Sequence, residues 1–253
     1  MYFRQFLATL ATCSAVAFIA QHCNAAEPGI DARLEVGAAF QERNKVQVPN
    51  DREGTRFSLN DIAGSGPWPA VRAELEWNVD ERHGLRMVLA PFAYSERGRL
   101  GKTVQFEGES FSPDAPVRAS YKFNSWRLGY RYNFYDHRDW LLWAGATLKV
   151  RDAQIELQQA GVRSEKDDIG LVPLLYLAAR YRIAPDWYFA ADFDGLAGGP
   201  GRAIDFSARV VRHAGDHWRF GVGYRTLEGG ADTDDVYNFA WFNTAFTSLE
   251  YRF

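Results

Sequence analysis

Three aspartates carry the sharpest chemical possibility in this sequence. Asp192 and Asp194 sit two residues apart in Asp192-Phe193-Asp194-Gly195, and Asp205 follows in the next alternating segment. A period of two places side chains on one face of a strand, so the three carboxyls are expected to converge. Like charges at close range raise the pKa of one member, which would make a general acid or a cation site. The simpler reading of the same residues is a salt-bridge network with Arg202, Arg209 and Arg225. Proton shuttling near neutral pH is mostly histidine chemistry. Of five histidines, His22 lies near the amino terminus, while His83, His137, His213 and His217 lie in or beside short turn segments.

Two other stretches invite a ligand. Glu228-Gly229-Gly230-Ala231-Asp232-Thr233-Asp234-Asp235 is acidic and glycine-rich, and Asp232, Asp234 and Asp235 have a spacing that can hold a divalent cation. It lacks the full pattern of an EF-hand loop, and a solvated loop is the plainer reading. Gly198-Gly199-Pro200-Gly201 precedes an alternating segment rather than a helix, so it reads as a hairpin connection and not as a phosphate loop. No cofactor motif is implied.

The elements that must position these groups are strands. Period-2 alternation recurs in Arg33–Phe40, Val71–Trp77, Trp126–Phe134, Leu177–Ile183 and Trp218–Arg225, with apolar groups on one face and charge or glycine on the other. Aromatics make up 15% of a chain that is hydrophilic on average, as expected if one face meets lipid and the other a polar lumen. A net charge of −3 argues against a general nucleic-acid binder. After residue 25 no apolar run is long enough for a membrane helix.

Short turns at Asp80–His83, Asp136–Asp139, Ala184–Asp186 and Ala214–Asp216 alternate with longer connections. These are about Arg43–Pro67, Arg97–Val117, Asp152–Ile169, Gly195–Gly201 and Glu228–Val236. The expected fold is an all-β, transmembrane, antiparallel up-and-down barrel of about ten strands, with eight or twelve as alternatives. Trp77, Trp140, Trp187 and Trp218 lie near the short turns, as an interfacial girdle would.

Alternation points a set of cations inward: Arg33, Arg72, Arg86, Arg127, Arg131, Lys149, Arg151, Arg180, Arg182, Arg209, Arg219, Arg225 and Arg252. The inward acids are Glu35, Glu74, Glu76, Asp192, Asp194, Asp205 and Glu250, six fewer. Most must pair, because a lone buried charge is very costly. Glu250 and Arg252 are expected to face Arg33 and Glu35 across the closing seam. The arginine surplus suits carboxylates or phosphates, so a narrow path or binding site for small anionic solutes is one expectation. A lumen that is merely closed is another.

The carboxyl end, Phe246-Thr247-Ser248-Leu249-Glu250-Tyr251-Arg252-Phe253, resembles the last strand of bacterial outer-membrane β-barrel proteins. Leu249, Tyr251 and Phe253 match their alternating insertion signal; Phe246 and Ser248 depart from it. The resemblance implies a Gram-negative outer membrane, recognition by the barrel-assembly machinery, and lipid and lipopolysaccharide as partners. It implies no activity. Enzymes of this architecture, such as omptin-type proteases and lipid-modifying barrels, mostly need an outer histidine, and none is placed there. An outer-leaflet enzyme using the aspartate cluster, and a surface-loop interaction or adhesion protein, stay as alternatives.

Residues 1–25 read as a secretory signal peptide, with Arg4 before an apolar stretch and small residues before a cut near Ala25. Both cysteines, Cys13 and Cys23, fall inside it. Residues 26–253 are then a cysteine-free barrel of net charge −4.

Overall fold

The computed structural model describes residues 28–199 and 201–253; the expected signal peptide lies outside the described residues. In chain order the elements are β1 (Gly29–Gln47), β2 (Phe57–Ser58), α1 (Asn60–Ala63), β3 (Trp68–Asn78), β4 (His83–Ala90) and β5 (Ala93–Gly98). They continue with β6 (Val104–Phe106), β7 (Glu109–Phe111), β8 (Val117–His137), β9 (Trp140–Gln159) and β10 (Val162–Ala184). The last four are β11 (Trp187–Gly198), β12 (Gly201–Ala214), β13 (Trp218–Asp232) and β14 (Tyr237–Arg252).

These form a closed antiparallel barrel of ten strands. Around the wall run β1, β3, β4, β8 and then β9 to β14, with β14 returning to β1. β5 continues the β4 strand past a break at Pro91-Phe92 and stays paired to β8. Closure leaves no free edge around the wall's lower part.

Side chains sort as the alternation requires. Ile30, Leu34, Val36 and Phe40 face outward and are exposed, while Asp31, Arg33, Glu35 and Ala39 between them, and Gln41 after them, are buried. The outward apolar run ends at Glu42, beside a bulge between Gln41 and Arg43. At about 3.3 Å per residue and a tilt near 45°, Ile30 to Phe40 spans about 25 Å, the height of a membrane barrel's apolar band. Trp77, Trp140, Trp187 and Trp218 are all exposed on the outer wall beside the short turns. Trp140 meets Tyr181 at 4.6 Å and Trp218 meets Tyr251 at 4.7 Å.

Three connections differ from their sequence-based expectation. Asp152–Ile169 is not a loop: β9 and β10 pair continuously up to a turn at Ala160-Gly161. Its dense charge lies largely on the exposed face of a hairpin that rises above the apolar band, while Ile155 and Leu157 are buried on the other face. The Arg43–Pro67 and Arg97–Val117 connections carry structure of their own. β1 runs on to Gln47, and β2, α1, β6 and β7 fold over the outer mouth. Phe57, Leu59, Ile62, Phe106 and Phe111 there join Val117, Tyr121, Leu157 and Phe242 in one buried apolar cluster.

Asp80 fixes the first short turn by accepting the backbone N–H groups of Arg82 (2.8 Å) and His83 (2.7 Å). Those two bonds hold its carboxyl below the usual aspartate range. The turn's gain is therefore full above that range and is lost as pH falls through the lowered value.

β8 and β9 approach so closely at Gly145 that a Cβ there would lie 2.0 Å from the Tyr130 carbonyl oxygen. Gly145→Val should destabilise the barrel by at least ~2 kcal/mol, as overpacking against backbone does. Urea titration of tryptophan fluorescence in micelles checks this.

Candidate functional site

The lumen is crossed by a closed ring of alternating charges. Arg33 donates to Glu74 at 2.5 Å; Arg86 donates to Glu74 (3.0 Å) and Asp194 (3.3 Å). Arg127 reaches Asp194 (2.8 Å) and Asp205 (2.5 Å). Arg225 joins Asp205 to Glu35, each at 2.7 Å, and Glu35 returns to Arg33 at 3.2 Å. The links from β4 and β8 to β11 and β12 join strands far apart around the wall, so the ring crosses the lumen.

Below it Glu76 is held by Arg131 (2.9 Å) and Arg180 (3.1 Å). Glu250 is held by Arg209 (3.3 Å) and Arg219 (3.5 Å) and accepts the Tyr188 hydroxyl (3.2 Å). The Tyr176 ring lies 3.8 Å from the Arg86 guanidinium, and its hydroxyl donates to Asp192 at 2.9 Å.

The aspartate cluster therefore exists as a geometry but not as free acids. Asp194 and Asp205 are cross-strand partners. Each is bridged by two or three arginines, and Thr147 also donates to Asp194 at 2.7 Å. Asp192 is bound by Arg209. Arg209 and Arg225 join the network as expected, whereas Arg202 pairs with Glu228 at 2.6 Å near the rim.

The seam differs too. Arg33 faces Glu250 as expected, but Arg252 faces Asp31, and Glu35 faces Ser248. Asp31 thus enters the lumen, bound to Arg219, a role that the sequence reading missed because it began the strand at Arg33. Arg182 sits at the turn end with Asp139 (3.2 Å), Arg252 lies 3.7 Å from Asp31, and Arg151 bonds Asp168 above the ring. Counting only the central belt leaves ten cations against eight acids, so the surplus of six falls to two.

The four described histidines all sit at the short-turn end. Asp232 accepts the Asn50 side chain at 2.8 Å, and among the described residues no group of three or more acids or histidines draws together as a metal site. Leu249 and Phe253 are exposed on the outer wall and Tyr251 is half-buried beside Trp218.

Among the described residues, one inward cation has no carboxylate partner. Lys149 is buried, yet no carboxylate lies within ion-pair distance of it; its Nζ stands 4.7 Å from the Phe123 ring centre. It lines a cavity of about 580 Å³ at the outer end, with Tyr121, Phe123, Arg151 and Asn238. The cavity lies where the tall β9–β10 hairpin rises past the short β11–β12 hairpin; Leu175 and Gly195 form the last pair between β10 and β11. A count of charges hides such a group, since alternation gives the face and not the partner.

No protein-family model and no curated protein sequence matches the chain. Solved structures do. The outer membrane protease OmpT of Escherichia coli superposes with a TM-score of 0.59 at 11% identity, over 89% of this chain and 97% of that one. The attachment invasion locus protein Ail of Yersinia pestis gives a TM-score of 0.40 at 10% identity, over 89% and 99%. The chain has the fold of the bacterial outer-membrane β-barrel proteins.

Glu74 neutralises Arg33 and Arg86 directly and lies 3.6 Å from Arg72. Glu74→Ala should cost ~3–5 kcal/mol, because it strands buried charge. Asp139→Ala, at an exposed pair, should cost under ~1 kcal/mol. Urea midpoints of the two variants in one detergent test the contrast.

Proposed function

We propose that this chain is an outer-membrane β-barrel that retains a small anionic solute at its outer end rather than conducting it. Residues 1–25 would direct its export, and Leu249, Tyr251 and Phe253 its recognition by the assembly machinery. The apolar band, the tryptophans beside the short turns and the barrel fold support the membrane placement. The charge ring and the apolar cluster above it favour a closed lumen over a path.

The observation that carries the binding reading is Lys149. Among the described residues it is the inward cation without an acid partner, and it sits in the wall of the outer cavity with an aromatic face beside it. A buried ammonium without a counter-ion favours an anion from outside. Phe123 and Tyr121 suit a carboxylate with an apolar body.

Calorimetry with benzoate as the probe tests this. Lys149→Gln should weaken binding about 10- to 100-fold, the value of one charged hydrogen bond. Unchanged affinity, or no binding by the native chain, would remove the reading. Planar bilayers containing the chain should show no steady conductance; a sustained anion current would instead restore the path.

A further inference from the structure

The barrel wall is not sealed along its whole height. β3 and β4 pair only from Asn78 with Gly84 to Ala73 with Leu89. Above that, Trp68–Arg72 stays paired to β1, and β4 and its continuation β5 stay paired to β8, but the two edges do not pair with each other. The opening is framed at the bottom by the Ala73–Leu89 pair. At the top Trp68 bridges it, stacking on Tyr94 at 4.1 Å and donating its indole N–H to Glu96 at 3.0 Å.

Its height can be read from the register. Val71 faces Val36, and Ala70 faces Gly37, on β1. Val36 lies inside the outward apolar run from Ile30 to Phe40, so the opening faces hydrocarbon, in the half away from the short turns. Unpaired backbone at that depth must be buried in protein or line a cavity that water can enter.

Such a cavity is there. A space of about 80 Å³ lies behind the gap, with Ala70 and Ala90 on its lips and Phe92, Phe123 and Phe246 along its walls. Its floor is charged and includes Arg72. Arg72 is buried, and its Nε finds no hydrogen-bond acceptor, although its other nitrogens approach Asp205 and Glu74. An apolar throat ending on an unsatisfied guanidinium N–H matches a molecule with an apolar tail and an anionic head.

We propose that the gap between β3 and β5 is a lateral port by which a medium-chain carboxylate passes from the membrane into the lumen and seats its head on Arg72. The proposal rests on the membrane placement above but not on Lys149. Phe123 lines both this throat and the outer cavity, so it is the residue that separates the two spaces.

Both native cysteines precede the described residues, so an introduced thiol can be made unique. In the full chain with Cys13→Ser and Cys23→Ser, reconstituted in phosphatidylcholine vesicles, Phe92→Cys reports on the throat. N-phenylmaleimide, which partitions into the bilayer, should label it at least tenfold faster, relative to free cysteine, than a membrane-impermeant sulfonated maleimide. Adding Ala90→Trp should slow the apolar reagent at least tenfold and leave the sulfonated one within twofold. Decanoate should protect the thiol at about one-tenth the concentration of decanol, and Arg72→Gln should erase that difference.

Ala70→Cys on the opposite lip and Val71→Trp on the outward face give a second reporter and a second plug if a first variant does not fold. Equal labelling by both reagents, or indifference to both plugs, overturns the port. Equal protection by decanoate and decanol overturns the anionic head. Lys149→Gln should leave every one of these rates unchanged, so failure of the benzoate result and failure of the port are separate outcomes. A folded chain that does not enter vesicles overturns both.

Discussion

The structure depends on the pairing of charge inside a wall that is apolar outside. A ten-strand barrel has an interior of about the width that side chains can fill. In this chain the filling is a ring of four arginines and four carboxylates, Arg33, Glu74, Arg86, Asp194, Arg127, Asp205, Arg225 and Glu35, each touching two neighbours of opposite sign. Its members come from seven strands. Replacing one takes a partner from each of its two neighbours and leaves one buried charge uncompensated, so the ring acts as one unit rather than as eight contacts. It also sets register. A two-residue slip at the β1–β14 seam would move Arg33 off Glu250, and a one-residue slip would turn charge into the hydrocarbon.

Arginine suits that ring and lysine does not. A guanidinium presents donors in two directions within one plane, so Arg86 can hold Glu74 through Nε and Asp194 through a terminal nitrogen. It also stacks, as Arg86 does on Tyr176. A lysine offers one compact charge and bridges poorly. The single lysine of the belt is the member left without an acid, beside Phe123 at the ring's outer side. Arginine therefore makes the ring, and the lysine stands outside it.

Much of this was legible because strand side chains alternate with a fixed period. The inward identity of Arg72, Glu74, Glu76, Arg127 and Arg131 and the outward position of the four turn-end tryptophans follow from period alone. What period cannot supply is register between strands distant in sequence. Arg252 was expected opposite Glu35 and stands opposite Asp31 because β1 and β14 are joined by closure, not by a turn of known length. The β9–β10 hairpin was hidden for the opposite reason. Glu165, Asp167 and Asp168 stand in water, and the buried Ile155 and Leu157 are covered by segments distant in sequence, so a paired strand reads as a loop. Ion partners were illegible for the same reason as register: Arg202 chooses Glu228 over the aspartates through three-dimensional proximity at the rim.

The place where the wall opens follows from how the rest is closed. Pro91 has no N–H to give, and it stands where β4 would otherwise continue its pairing. After it Phe92 resumes pairing on the β8 side only, through its carbonyl and the Phe123 N–H. β3 cannot follow, because Trp68–Arg72 is held to β1, whose register the seam and the ring determine. The strands must therefore diverge above Ala73, and the divergence falls at the level of Val36, in the apolar band. The space created is lined by phenylalanines from β8 and β14 and floored by the ring. One constraint, charge locked across the lumen, thus gives a barrel that is bridged across its axis and unpaired at one place in its side.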